Sequence, residues 1–177
     1  ACKNTTIGFK LTKQCKFHKA GSFAYVGYHP KYEEIIVSYR GSVNIQNWIE
    51  DFDFTKTPNK TIDPNYPDAK VETGFYKNYH SIENCTINEI LNLTTQYPNY
   101  QVYSTGHSLG AAASTIAAVK LALNDDIPIV SLYNFGSPRV GNKQFSQLAQ
   151  TLLYASQRMV NHGDCVTKMP YKTMGFY

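Results

Sequence analysis

A serine between two glycines is the part of this sequence best suited to chemistry. Ser108 is the central residue of the pattern G-x-S-x-G, which runs from Gly106 to Gly110. A serine hydroxyl becomes an effective nucleophile only beside a base and a group that stabilises the oxyanion. Where a strand precedes this pattern and a helix follows it, the glycines permit a tight turn that exposes the hydroxyl. The pattern therefore predicts a nucleophilic serine, provided that both elements are present.

The two flanking segments have the composition of these elements. Tyr100–Tyr103 alternates and is rich in residues that favour strands. Leu109–Leu123 is dominated by Ala and Leu and contains no Pro, which favours a helix. The N–H of Leu109 would then lie at a helix N-terminus and point toward a developing oxyanion. An ordinary glycine-rich turn is the alternative interpretation.

Composition limits the classes of protein that come into question. The chain has 177 residues, of which 42% are hydrophobic and 17% are charged, as in one globular domain. No apolar run approaches the ~20 residues of a membrane span, so we expect no integral membrane segment. The net charge of +4 comes from lysines spread along the chain, which argues against a nucleic-acid partner. No cluster of Cys and His has metal-ligand spacing, so we expect neither metal nor cofactor. Oligomeric state is left open.

Cysteines and glycosylation sequons favour a secreted protein. The chain begins at Ala1 without an initiator Met, which is compatible with a removed signal peptide. Four N-x-S/T sequons make these asparagines candidates for glycosylation: Asn4, Asn59, Asn84 and Asn92. Four cysteines allow two disulfides with three possible connectivities: Cys2, Cys15, Cys85 and Cys165. Buried free thiols in a cytosolic protein are the alternative.

Strand-like and helix-like segments alternate along the chain. Lys3–Lys19 is polar and poorly patterned. We expect further strands at Ser22–Tyr28, Ile35–Tyr39, Ile129–Phe135 and Gln157–Val160, and further helices at Phe75–Gln96 and Gln144–Leu153. This alternation predicts a mainly parallel sheet with helices on both faces. Functional loops then follow the carboxyl ends of strands, where we place Ser42, Ser108, Ser137 and Asp164.

A short amphipathic segment follows Ser42. Ile45, Trp48, Ile49 and Phe52 recur at i, i+3, i+4 and i+7, so they form one apolar helical face. This face predicts either a short core helix or a mobile lid that covers a groove for an apolar substrate.

Several separated segments together resemble the class 3 (fungal-type) lipases, which have the α/β-hydrolase fold. The resemblance runs in order from about Phe23 to Pro170, and the first twenty residues match nothing we can place. The matching segments are Tyr39–Ser42 with Asn47–Ile49, Glu72–Phe75, Gly106–Gly110, Phe135–Asn142 and Asn161–Val166.

The resemblance implies a role for each matching position. Ser108 would be the nucleophile, and Asp164 would orient the catalytic histidine. Ser42 and Leu109 would donate backbone N–H groups to the oxyanion, and the segment from Ile45 to Phe52 would be the lid. His107 would support the turn. Structural roles are implied for Arg40, Asp51, Asp53, Arg139 and Asn142.

The activity implied is hydrolysis of lipid esters at a lipid–water interface, as by a triacylglycerol lipase. Three alternatives stay open: an esterase acting on smaller or aromatic esters such as feruloyl esters, a phospholipase A1, and a non-catalytic binding protein that kept the fold. Sequence alone does not decide between lipase and esterase.

The catalytic histidine has no obvious candidate. In this fold the triad runs Ser, Asp, His along the chain, yet no His follows Asp164. We therefore expect the histidine beyond Tyr177, and residues 1–177 to be a single domain that lacks the C-terminal part of the fold. His162 is the best local substitute, although it shares a short loop with Asp164.

Overall fold

The computed structural model describes residues 7–42, 58–127 and 129–177. Its strands are β1 (Lys10–Phe17), β2 (Ser22–His29), β3 (Glu34–Tyr39), β4 (Lys60–Thr61), β5 (Lys70–Val71), β6 (Gln101–His107), β7 (Val130–Phe135) and β8 (Ala155–Met159). Its helices are α1 (Thr73–His80), α2 (Glu83–Gln96), α3 (Leu109–Ala122) and α4 (Lys143–Leu152). Short 3-10 turns at His18–Ala20, Val166–Lys168 and Lys172–Met174 complete the elements.

Six strands form the central sheet in the order β1-β2-β3-β6-β7-β8. The pairs β3–β6, β6–β7 and β7–β8 are parallel, whereas β1–β2 and β2–β3 are antiparallel hairpin-type pairs. The predicted mainly parallel sheet is therefore confirmed. Parallel strands bring their carboxyl ends to one edge of the sheet, which places the ends of β3, β6, β7 and β8 side by side.

The helices pack on the sheet face that carries the buried side chains of Val37, Val102 and Leu132. α3 lies at the centre of this layer, and its residues from Gly110 to Ala113 are buried. On the opposite face Tyr25 and Phe135 are exposed within the described residues. The described helices therefore cover one face of the sheet, whereas the sequence predicted helices on both faces.

Two elements differ from the sequence-based expectation. β1 forms within the segment expected to be unpatterned, because it pairs with β2 and buries only Cys15. The helix expected over Phe75–Gln96 is two helices that meet at Ser81 and Ile82. Ser81 donates its hydroxyl to the Asn78 carbonyl at 2.8 Å, which satisfies a carbonyl at the end of α1.

One disulfide joins the outer strand to the helical layer. Cys15 on β1 is bonded to Cys85 on α2, 70 positions later in the sequence. Cys165 is an exposed free thiol, so the second disulfide that the cysteine count allowed is not formed at that position. Cys2 lies outside the described residues. Within the described ranges, no helix has the length and apolar character needed to span a bilayer.

Candidate active site

Ser108 lies on strained backbone between β6 and α3. Its φ of 56° and ψ of −124° fall outside the regions that non-glycine residues favour, as the tight turn predicted. The strand continues through His107, further than the sequence indicated, and so enters the turn directly. The Ser108 N–H donates to the Phe135 carbonyl at 3.1 Å, which fixes the turn to β7.

Both glycines of the pattern are required by close main-chain contacts. A Cβ at Gly106 would lie 2.3 Å from the Gly110 carbonyl oxygen, where no carbon atom fits. A Cβ at Gly110 would lie 2.2 Å from the Tyr39 carbonyl oxygen on β3. The glycines therefore let β6, α3 and β3 converge on the serine.

The hydroxyl of Ser108 is buried and without a hydrogen-bond partner within the described residues. The residue is 1% exposed, and Oγ makes no hydrogen bond within the described residues. Buried hydroxyls in proteins are nearly always hydrogen-bonded. An unpaired hydroxyl on strained backbone makes Ser108 the candidate nucleophile of this site.

Two main-chain segments beside Ser108 supply candidate oxyanion donors. The Leu109 N–H belongs to the first turn of α3, where amides have no acceptor within the helix. Ser42 follows β3, whose end contacts the turn. A Cβ at Gly41 would lie 2.6 Å from the His107 carbonyl oxygen and 3.6 Å from the Ser108 Cβ. The structure thus brings the segment of Ser42 next to Ser108 and Leu109.

Asp164 lies in the loop after β8, at the same edge of the sheet. Its Oδ1 accepts the Val166 N–H at 2.9 Å, and its main-chain carbonyl accepts the Thr167 hydroxyl at 2.8 Å. Its Oδ2 lies against Gly136, which has a φ of 56°. A Cβ at Gly136 would be 3.0 Å from this oxygen and 3.3 Å from His107 Nε2. The carboxylate and the His107 ring therefore face the same small space beside the turn.

Arg158 stabilises the loop of Asp164. The sequence analysis did not identify this residue. Its Nη2 donates to the carbonyls of Ser137 at 2.5 Å and Thr167 at 2.7 Å, so it joins the loops after β7 and β8. Burial and the neighbouring Arg139 lower the pKa of the Arg158 guanidinium, while the Asp164 carboxylate acts in the opposite direction. Arg139 donates to the carbonyls of Lys168 and Pro170, which agrees with the structural role expected of it.

Asn134 on β7 is a second residue that sequence reasoning missed. Its amide nitrogen donates to the Ala111 carbonyl and to the Thr115 hydroxyl, both at 2.8 Å. Its amide oxygen accepts the Ser114 hydroxyl at 2.5 Å. These bonds fix the first turns of α3 to the sheet, and with them the amide of Leu109.

None of the described histidines is hydrogen-bonded to Ser108. Oγ has no partner in the described part of the chain, so neither His107 nor His162 bonds to it. His162 is exposed in the loop of Asp164. His29 bonds to the Ile7 carbonyl, and His80 pairs with Glu83.

A broad cavity adjoins the turn on the helix-free side. Its volume is about 690 Å³, and its lining includes Phe23, Tyr25, Phe135, His107 and Ser42. The lining thus combines aromatic side chains with the hydroxyl groups of Ser38, Ser42 and Thr105 and with the guanidinium of Arg40. The candidate lid, Ile45 to Phe52, lies outside the described residues, as do Asp51 and Asp53.

The remaining predicted positions lie on the surface. The sequon asparagines Asn59, Asn84 and Asn92 are exposed, whereas Asn4 lies outside the described residues. Arg40 donates to the Gly21 carbonyl at 3.0 Å, and Asn142 caps α4 by accepting the Phe145 N–H at 2.9 Å.

Comparison with known proteins relates this geometry to other chains. A secreted mono- and diacylglycerol lipase of Fusarium solani is 35% identical over 158 residues, which are 89% of this chain and 46% of the relative. A chloroplastic phospholipase A(1) of Arabidopsis thaliana is 34% identical over 150 residues, covering 77% of this chain and 34% of that protein. This chain therefore spans less than half the length of these two relatives.

Solved structures and a family model agree with these relatives. The Rhizomucor miehei lipase propeptide complex superposes with a TM-score of 0.90 and 30% identity, over 97% of this chain and 55% of that chain. The model of the family Lipase (class 3) matches residues 36–174, which include Ser42, Ser108 and Asp164. The chain belongs to the class 3 lipase family and has its α/β-hydrolase fold.

Proposed function

We propose that this protein is a serine hydrolase that cleaves carboxylic esters of lipids through an acyl-enzyme on Ser108. The observation that carries the proposal is the Ser108 hydroxyl, which is buried, unpaired within the described residues and placed on strained backbone at a helix N-terminus. Such a hydroxyl has no evident structural purpose. Its position is that of a nucleophile beside amides that can bind an oxyanion.

The chemistry divides into two steps. Ser108 Oγ attacks the ester carbonyl, its proton passes to a base, and the alcohol leaves as the acyl group remains on the serine. Water then attacks the acyl group and releases the carboxylic acid. In both steps the N–H groups of Ser42 and Leu109 would bind the oxyanion, and each such donor is worth roughly 3 kcal/mol in the transition state.

The base in this proposal is an imidazole from outside residues 1–177. Two hydrogen bonds hold Asp164 in its loop. Its Oδ2 lies beside Gly136 and faces the same space as the His107 ring, next to Ser108. A carboxylate so placed can orient an imidazole and stabilise its protonated form. His162 is the alternative base; it would have to move, because Ser108 Oγ has no partner in the described structure.

The substrate class in this proposal is acylglycerols at an interface. The aromatic side chains in the lining of the 690 Å³ cavity beside Ser108 suit an acyl chain. The relatives include one named as a secreted mono- and diacylglycerol lipase and one named as a phospholipase A(1).

Secretion is part of the same proposal. A Cys15–Cys85 disulfide persists in oxidising compartments, and the described sequon asparagines are exposed to modification. A relative is named as secreted.

Covalent labelling tests the nucleophile. With free imidazole added to supply a base, a fluorophosphonate should label the wild-type chain at Ser108, and Ser108→Ala should abolish labelling without loss of the folded state. Ser137→Ala is the matched control, since Ser137 is also buried after a parallel strand. Equal labelling of the Ser108→Ala variant would place the reactive group at another residue and contradict the proposal, whereas no labelling of wild type would favour a non-catalytic protein.

Added imidazole tests the origin of the base. If the base is missing from residues 1–177, free imidazole should raise the rate of ester hydrolysis in wild type but not in Ser108→Ala. Full activity without imidazole that is lost in His162→Ala would instead identify His162 as the base. Comparison of emulsified monoacylglycerol, phosphatidylcholine and a feruloyl ester then separates lipase, phospholipase and esterase.

A further inference from the structure

A second cavity lies on the helical side of the sheet, between α3, α4 and β8. It encloses about 460 Å³ and is partly closed by the segment from Lys172 to Tyr177. Neither Ser42, Ser108 nor Asp164 lines it, so it is separate from the candidate active site. Its size falls in the range of small-molecule sites, roughly 300–1,000 Å³.

The charged side chains in the lining of this cavity are all cationic. Arg139, Arg158 and Lys172 line it, and the described lining contains no Asp or Glu. The two guanidinium groups lie together, since Arg158 donates to the Thr167 carbonyl at 2.7 Å and Arg139 donates to the Pro170 carbonyl at 2.9 Å. Lys172 follows two residues after Pro170, and its ammonium lies 5.9 Å from the centre of the Tyr177 ring, which also lines the cavity.

These positive charges are not balanced within the cavity. Burial and the charge of Arg139 lower the pKa of Arg158, although Asp164 acts in the opposite direction from outside the lining. Like charges held together by hydrogen bonds to carbonyls still repel each other, and a bound anion would relieve that repulsion.

Apolar side chains form another part of the lining. Leu132 of β7, Val140, and Phe145 and Ala149 of α4 form this wall. Leu132, Val140 and Phe145 also belong to the hydrophobic core, so the wall is fixed in place. An inorganic anion would use only the cationic side chains, whereas an anion with an alkyl chain would cover the apolar wall as well.

We propose that this cavity binds a single-chain amphiphilic anion, with the headgroup between Arg139, Arg158 and Lys172 and the alkyl chain along α4. The headgroup is a carboxylate or a phosphate. A long-chain carboxylate is also the acid that ester hydrolysis releases, so the site would hold a product of the proposed activity. The binding itself does not depend on that activity.

Calorimetric titration of the chain with four short probes tests the binding. Octanoate and octyl phosphate should bind, because each has both parts. Inorganic phosphate and octanol should bind at least about tenfold more weakly, since each lacks one part. A preference among octanoate and octyl phosphate identifies the headgroup. If inorganic phosphate binds as tightly as octyl phosphate, or if no probe binds, the proposal fails.

Variants locate the bound probe. Lys172 is exposed, so Lys172→Gln should leave the fold intact and weaken octanoate about fivefold, the effect of one exposed charge pair. Lys168→Gln is the matched control, because Lys168 is an exposed lysine of the same segment outside the described lining. Ala149→Phe should block the alkyl chain, and Ser108→Ala should leave binding unchanged. Binding that is lost in Ser108→Ala but unaffected by Lys172→Gln would place octanoate in the active site and overturn the proposal.

Discussion

Gly110 of α3 lies directly against the main-chain carbonyl of Tyr39 at the end of β3. The separation is so small that a Cβ on Gly110 would come within 2.2 Å of that oxygen. This contact joins the helix that begins after Ser108 to the strand that leads into Ser42. Two parts of the candidate active site, distant in sequence, are thus positioned by one glycine.

Replacing this glycine should destabilise the fold. In Gly110→Ala the new methyl group would meet fixed main chain, so we expect a loss in the free energy of unfolding at or above the roughly 1–3 kcal/mol typical of overpacking. Urea denaturation measures it. Gly163→Ala is the control: Gly163 has open space around it, and its φ of 89° should cost only about 1 kcal/mol. Equal stability of the two variants would argue against the close contact.

The buried carboxylate of Glu83 should make stability depend on acid pH. Burial raises its pKa, but hydrogen bonds from Lys120 and His80 outweigh burial and hold the pKa below 4.5. As the pH falls, the unfolded chain therefore takes up this proton first. The stabilisation is fully present above about pH 4.5 and is lost as the pH falls toward the folded value.

Urea midpoints measured between about pH 3 and pH 7 test this dependence. Glu83→Gln should be less stable than wild type at pH 7 and should show a smaller decline in acid. Glu89→Gln removes a carboxyl group from the same helix while leaving the Glu83–Lys120 pair in place, so it should keep the wild-type decline. An identical decline in Glu83→Gln would exclude this pair as its source.

Alkylation should distinguish the free thiol of Cys165 from the two cysteines of the disulfide. Iodoacetamide should modify Cys165 in the native, unreduced protein, and Cys165→Ser should remove that adduct with little change in stability.

Loss of the Cys15–Cys85 bond should cost roughly 4 kcal/mol, because it closes a loop of 70 residues. Thermal unfolding with and without reductant measures this cost. An unchanged midpoint would mean that the bond contributes nothing.

Arg158 should control the order of the Asp164 loop. Arg158→Met removes the hydrogen bonds to the carbonyls of Ser137 and Thr167, so amide exchange at Val166 and Thr167 should become faster. Arg40→Met is a matched control, since Arg40 bonds to the distant Gly21 carbonyl. Exchange that rises equally in both variants would indicate general destabilisation rather than a local effect.

The turn at Ser108 could be predicted because its determinants are local. The glycines at two fixed positions, the strand before them and the alanine-rich helix after them are all visible in one stretch of sequence. The loops of Ser42 and Asp164 were placed by their positions after strands and by family resemblance, and the parallel sheet brings both loops to the edge that carries Ser108.

The sequence analysis did not predict β1, because its residues do not show the alternation that is typical of a strand. Of the residues in Lys10–Phe17 only Cys15 is buried, so the strand shows no alternation of polar and apolar residues. The break between α1 and α2 was missed because no Pro or Gly marks Ser81 and Ile82. The roles of Asn134 and Arg158 depend on contacts between residues up to 23 positions apart, which a local pattern does not reveal.

The lysines of β1 have a consequence for how separate molecules meet. β1 lies at an edge of the sheet, and an unpaired edge strand can template the addition of further strands. Lys10, Lys13 and Lys16 are exposed along this edge, where their charge opposes such pairing. Valine at these positions would remove that charge and should make this edge more prone to aggregation, so the polar composition of β1 disfavours pairing between molecules.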